Sequence, residues 1–534
     1  MDKEKVILEK LFQMSLEEKI GQMFQIGFSG TKIIPEVEEM IKNYHVGGII
    51  YFRRNIESLR QLSELSNELQ KFSVNHRPGL PLIISTDQEG GIVHRLIGGG
   101  THFPGNMTLG ATKDVGLAKK MGQVVANELK AVGINMDFAP ALDVNNNPLN
   151  PVIGVRSFGE DPSLVAELGV AFIKGIQSEG VIACGKHFPG HGDTITDSHL
   201  SLPIVEHNRI HLERVEFYPF IQAIKAGVNS IMTAHVCFPS LEPKKGIPAT
   251  LSYNILTNLL RGKLGYTGII ITDCMEMKAI VDDFGTSEGA IMSIKAGSDV
   301  VLVSHTLEKQ KKAIKAVIQE VKEGKISEER INQSVLRMLR LKKKRIGFEN
   351  IPISNNKKID RKIGETLAYQ ISREGVTLVK NEDNLIPITR AKDKKILVID
   401  FLLRRLSPVE DDIGNKNLLV DFLKEEGLNV AHFTFLKGDD NIPLSLLKGI
   451  DVIIACSFDA IHNPYQGEII RKLYATNIPI IVLSLCNPYD LQLFPEESTL
   501  MTTYDYSPSN LKVACEVIVG KYKSRGDLPV SLKI

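Results

Sequence analysis

Lys186-His187-Phe188-Pro189-Gly190-His191-Gly192-Asp193-Thr194-Ile195-Thr196-Asp197-Ser198-His199 packs three histidines, two aspartates and a lysine into fourteen residues. It directly follows the apolar run 180–185, Gly-Val-Ile-Ala-Cys-Gly, which reads as a buried parallel strand. Pro189, Gly190 and Gly192 exclude a helix, so the segment is expected to be a tightly turned loop. Polar residues at the C-terminal end of a buried parallel strand mark the functional face of an α/β barrel. His187 and His191 are four apart, a metal-pair spacing only on a helix, and Pro189-Gly190 rules the helix out. A polar loop that merely braces the barrel is the bland alternative. Asp197-Ser198-His199 favours catalysis, because a carboxylate two residues from a histidine can orient the ring and hold its proton.

The apolar runs either side of this strand extend the pattern. Strand candidates fall at 23–27, 47–52, 82–86, 134–139, 181–186, 228–235, 268–273 and 299–304. Segments of helical periodicity lie between them at 57–72, 116–132, 162–179 and 213–226. Eight βα units predict a TIM-type (β/α)8 barrel. The polar residues then share one face: Asp87 follows the third strand, Lys186 and His187 the fifth, His235 the sixth, and Asp273 ends the seventh.

Residues 307–345 read as helical, with the basic run at 340–345 taken as a solvated helix end. Residues 353–358 read as exposed linker. A second α/β alternation follows, with strands at 395–401, 449–458, 479–485 and 499–503. The expected division is a barrel domain over 1–340, a linker over 341–390, and a smaller α/β sandwich with a mostly parallel sheet over 391–534.

Residues 186–194 together with Asp197-Ser198-His199 resemble the signature of the family 3 glycoside hydrolases, in the β-N-acetylglucosaminidase branch. Three further segments match in order: Asp87-Gln88-Glu89-Gly90-Gly91 with Arg95; Asn147-Pro148-Leu149-Asn150-Pro151 running on to Arg156-Ser157-Phe158-Gly159; and Thr272-Asp273-Cys274-Met275-Glu276-Met277. The resemblance extends from about residue 10 to the C-terminus. It implies Asp273 as nucleophile and His199 as acid–base, with Asp197 orienting the ring and favouring its charged form. Such a site departs from the two-carboxylate arrangement of most glycosidases, and imidazole suits the role because it titrates near neutrality. The same resemblance places Asp87, Arg95, Arg156, Lys186 and His187 around one sugar ring. The competing readings are a helix cap for Asp273 and structural ion pairs for Arg95 and Arg156.

Composition agrees with a small neutral substrate. The chain has 64 basic and 63 acidic residues, a net charge of +1, and no long charge block, so a nucleic-acid partner is not expected. With no tryptophan, it lacks indole platforms for tracking a polysaccharide, which favours a pocket for one terminal sugar. Six cysteines without CxxC spacing read as buried reduced thiols. The N-terminal segment lacks the apolar core of a signal peptide and no run reaches the ~18 apolar residues of a membrane span, so a cytoplasmic location is expected. Neither a phosphate-binding glycine loop nor a metal cluster is apparent, and no cofactor is expected. Four functions stay open: an exo-acting retaining β-N-acetylglucosaminidase acting on muropeptides or cell-wall fragments, a phosphorylase or other β-glycosidase on the same fold, a catalytically silent sugar-binding or peptidoglycan-sensing protein, and a metal-dependent amidohydrolase on the same barrel.

Overall fold

The computed structural model describes residues 3–348, 351, 353–401, 417–438, 442–495 and 498–533. Eight parallel strands close into a barrel in sequence order: β1 (Phe24–Ile26), β2 (Gly48–Ile50), β3 (Ile83–Thr86), β4 (Met136–Asp137), β5 (Ile182–Phe188), β6 (Ser230–Thr233), β7 (Ile269–Cys274) and β8 (Val300–Val303). β8 pairs back on β1, with Phe24 opposite Val301 and Ile26 opposite Val303. All eight expected strands are present. β5 runs two residues further than expected, so Lys186 and His187 are strand residues whose direction the barrel wall fixes.

The alternation of side chains along the strands builds two separate cores. Ile50, Ile83, Met136, Ile182, Met232, Ile269, Ile271, Val300 and Leu302 fill the barrel interior. Their neighbours Ile49, Ile84, Ala183, Ile231, Ile270 and Val301 face the surrounding helices. Ser15 and Glu18 form a capping box at the start of the helix Leu16–Gln22.

The helix Glu328–Arg345 closes the barrel floor with Met338, Leu341 and Ile346. Lys342 departs from the expected solvated helix end: it is fully buried, and its ammonium donates to Gln22 Oε1 at 2.7 Å and to the Gly47 carbonyl at 2.9 Å. Burial pushes the Lys342 ammonium down to about 7. The unfolded chain, with lysine near 10.4, therefore binds more protons between about pH 7 and 10. Stability then rises with pH through that window, by up to about 1.4 kcal/mol per pH unit. Lys342→Met should flatten the rise, as read from unfolding midpoints between pH 7 and pH 9.

The second sheet has six strands in the order β11-β10-β12-β13-β14-β9: β9 (Thr377–Lys380), β10 (Lys395–Phe401), β11 (Asn429–Phe435), β12 (Val452–Ser457), β13 (Ile480–Ser484) and β14 (Thr499–Thr502). All neighbours pair parallel except β9, which runs antiparallel to β14. Two of these strands were not expected. β9 lies within the stretch read as linker, which also holds the helix Arg361–Gly375. β11 is a half-exposed edge strand whose mixed polarity hides it from a search for apolar runs. One face of the sheet shares its core with the barrel, because Ile92, Val93, Met107 and Val155 cluster with Val398, Ile454, Leu483 and Met501. Asp505 strengthens the junction by accepting from Gly105 N at 2.7 Å and Thr108 Oγ1 at 3.2 Å.

Candidate active site

Over the C-terminal ends of the barrel strands lies a cavity of about 400 Å³. Asp87, Arg95, Arg156, Lys186, His187, His199 and Asp273 all line it, above an apolar lining that includes Phe52, Phe138, Met232, Met277 and Leu302. Seven of the eight residues singled out from the sequence thus share one cavity. The eighth, Asp197, is buried behind His199. Every lining residue lies between Ile50 and His305, so among the described residues the second domain contributes none.

Asp87 and Lys186 meet where β3 and β5 end. Lys186 Nζ donates to Asp87 Oδ1 and lies equally close to Glu89 Oε1, both at 2.7 Å. Arg156 grips the same Glu89 through Nε at 2.9 Å and Nη2 at 2.8 Å, and donates from Nη1 to the Val152 carbonyl at 3.0 Å. Burial opposes ionisation of Glu89, but the flanking Arg156 and Lys186 overcome it and hold the carboxyl far below the usual range. Arg156 is therefore both a structural ion-pair member and a wall of the cavity. Removing Glu89 alone would leave two buried cations short of a partner, a situation that costs about 3–5 kcal/mol in comparable pairs. Asp137, at the end of β4, completes the layer. It accepts from Gln88 N at 2.9 Å, and burial raises its carboxyl well above the ordinary value.

The loop after β5 is held from the loop after β4. Fully buried Asp143 accepts from His187 N at 3.1 Å and His191 N at 2.7 Å, and bonds His187 Nδ1 at 2.8 Å. Asn150 Nδ2 donates to the carbonyls of His191 and Gly192, each at 2.9 Å. Gly192 is required at its position, since a Cβ there would lie 1.7 Å from the Val144 carbonyl oxygen. The His191 ring is satisfied by Thr194 Oγ1 and Ser198 Oγ, both at 2.9 Å, and burial brings it down to about 4. His191 is thus a neutral brace for Ser198. Next along the chain, Asp197 Oδ1 accepts from His199 N at 2.8 Å and bonds His199 Nδ1 at 2.7 Å. The His199 side chain keeps 23% of its surface exposed against 3% for Asp197, so the ring borders the cavity while its Nδ1 is held.

Asp273 sits one residue from the end of β7, with Cys274 N donating to its Oδ1 at 2.6 Å. Burial opposes its ionisation, but His235, His187 and His199 outweigh that cost and bring the carboxyl down to about 2. His235 does not line the cavity: its Nε2–H donates to the Cys274 carbonyl at 3.0 Å, fixing the backbone beside Asp273. A permanently ionised carboxylate and a carboxylate-braced imidazole over one small cavity can supply a nucleophile and a proton shuttle.

Sequence reasoning had no role for several residues that build the site. Glu89 lies inside the 87–91 motif, but its role is defined only when the loops after β3, β4 and β5 meet. Asp143 carries no local signature. Arg53, Arg54 and His305 also line the cavity, just beyond β2 and β8, where the strand-end rule that selected Asp87 could have found them. All six cysteines are free and buried, as expected. Among the described residues no helix is long and apolar enough to cross a membrane.

Comparisons with known proteins agree with this geometry. Residues 15–341 match the Glycosyl hydrolase family 3 N terminal domain. Beta-hexosaminidase A of Pseudoalteromonas piscicida is 30% identical over 554 residues, covering 94% of this chain and 92% of its own. The beta-hexosaminidase of Nitrosomonas eutropha is 37% identical over 284 residues, which are 52% of this chain and 79% of that protein. Among solved structures, a glycoside hydrolase family 3 beta-N-acetylglucosaminidase from Paenibacillus sp. str. FPU-7 superposes with a TM-score of 0.90 at 41% identity, covering 97% of this chain and 99% of the other. The barrel, the second sheet and these likenesses place the chain in glycosyl hydrolase family 3.

Proposed function

We propose that the protein is an exo-acting, retaining β-N-acetylglucosaminidase that removes terminal N-acetylglucosamine from muropeptides or cell-wall fragments. The observation that carries this reading is the pairing of ionised Asp273 with the Asp197–His199 dyad over one cavity of about 400 Å³, a volume suited to a terminal sugar and part of its aglycone. The names of the relatives support the N-acetylhexosamine preference.

In this mechanism the Asp273 carboxylate attacks the anomeric carbon while His199 protonates the departing oxygen. The glycosyl–Asp273 ester forms as the glycosidic bond breaks. His199, now neutral, takes a proton from water as that water attacks the anomeric carbon, breaking its bond to Asp273 and releasing the carboxylate. Asp197 keeps the ring oriented and stabilises its charged form in the first step. Asp87 accepts from sugar hydroxyls, while Arg95, Arg156, Lys186 and His187 donate to hydroxyls or to the N-acetyl carbonyl. These steps require no metal or organic cofactor.

Chromogenic β-glycosides of N-acetylglucosamine and of glucose, assayed side by side with and without phosphate, test the proposal. Preferred hydrolysis of the N-acetylglucosamine compound, with β-configured sugar as first product, is expected. Arg53 and Arg54 add two cations to the cavity lining, which makes phosphate the acceptor to test against water. Turnover that requires phosphate and yields a sugar phosphate would overturn hydrolysis, and preference for glucose would overturn the substrate.

A further inference from the structure

Beneath the loop that carries His199, outside the cavity, stands a second group of polar side chains with unmet bonding capacity. His207 immediately precedes Asn208, the N-cap of the helix Arg209–Arg214, and His211 lies one turn along. Glu216 stands at the start of the next helix, Phe217–Lys225. One ring nitrogen from each histidine and one Glu216 oxygen all lie within 4.8 Å of one another. The two rings stack with centroids 3.8 Å apart.

The bonding of these groups is incomplete. Glu216 is 2% exposed, and Asn146 Nδ2 donates to its Oε1 at 3.0 Å. His211 Nε2 lies 3.6 Å from Glu216 Oε1, beyond a normal hydrogen bond. Both His211 Nε2 and Glu216 Oε2 are buried atoms without a hydrogen-bond partner among the described residues. Buried polar atoms are normally satisfied, and a carboxylate left short of donors is expensive. A cation between the three side chains would satisfy all of them at once.

We propose that His207, His211 and Glu216 bind a divalent transition-metal ion of the Zn²⁺ type, and that the ion stiffens the loop bearing the Asp197–His199 dyad. Two imidazoles and one carboxylate are the ligand types such ions select, whereas Ca²⁺ and Mg²⁺ favour oxygen alone. The histidine side chains are 39% and 37% exposed, so solvent can deliver the ion and fill the remaining coordination positions. Tetrahedral ligand atoms around Zn²⁺ lie ~3.3 Å apart, a contraction that rotation of the two exposed rings can supply. The link to the loop runs through Asp193, whose Oδ2 hydrogen-bonds His207 Nε2. Ligation through His207 Nδ1 leaves this carboxylate on the far nitrogen, where it fixes the ring and raises its basicity. Glu216 also packs under Gly190, where an added Cβ would lie 2.7 Å from the Glu216 Cβ.

The test is a titration of chelator-treated full-length protein with Co²⁺, which reports coordination through its visible ligand-field bands. One saturable equivalent is expected, displaced by Zn²⁺ but not by Mg²⁺ or Ca²⁺. His211→Ala and Glu216→Gln should each weaken it ~10-fold or more. His211 is exposed enough that its variant keeps the fold, so it decides the matter if Glu216→Gln fails to fold. Hydrogen exchange across residues 189–201 should slow when Zn²⁺ is added to the parent and stay unchanged in His211→Ala. No saturable binding, or equal binding by parent and His211→Ala, would overturn the site. Binding without slowed exchange would overturn the coupling to the loop.

Discussion

Asp273→Ala is expected to lose on the order of 10⁴-fold or more in turnover while the protein stays folded. The loss should be large for good and poor leaving groups alike, because no covalent intermediate forms without the carboxylate. Folding should survive, since among the described residues the Asp273 side chain hydrogen-bonds to the amide of Cys274 alone and projects into the cavity rather than into a core. Its carboxyl, held at about 2, is ionised across the range in which the enzyme can be assayed. Protonation of Asp273 therefore contributes no acidic limb to kcat/KM above about pH 4. A mechanism-based fluorosugar should label this residue, and peptide mapping that places the label elsewhere would remove the assignment.

The parts of the molecule that sequence reasoning captured are those governed by one-dimensional signals. Each barrel strand is a short apolar run, and a residue at the end of such a run must lie on the functional face once the barrel closes. Asp87, Lys186, His187 and Asp273 follow from that rule, and Asp197 and His199 from their spacing. The electrostatics that make the site work belong instead to contacts between loops. Glu89 pairs with Arg156, 67 residues away, and Asp143 with His187, 44 residues away. No local pattern distinguishes these carboxylates from solvated ones. Lys342 was misread for the same reason: a lysine in a basic helix end looks exposed until the barrel floor is seen to close over it. The second sheet lost its two outer strands because edge strands carry mixed polarity, and β9 because it follows a helix inside a stretch judged to be linker.

His199→Ala should separate acid catalysis from nucleophilic attack. A natural disaccharide leaves as an alkoxide that must be protonated as it departs, so loss of the acid should cost about 10²–10⁴-fold in the glycosylation step. A nitrophenolate leaves readily without a proton, and glycosyl-enzyme formation from the nitrophenyl glycoside should fall far less. Asp197→Asn should give a milder version of both effects, since the amide can still hold the ring at the 2.7 Å contact but no longer favours its charged form. The buried position of Asp197 means that this variant tests the electrostatic role with little change in shape. Single-turnover rates for both substrates provide the measurement, because steady-state rates on activated glycosides can be limited by the second step. Equal losses for the two leaving groups would move His199 from proton transfer to substrate binding. The acid would then have to be sought among the cavity's other ionisable groups, of which His305, with its ring lowered by burial and by Arg54, is the next candidate.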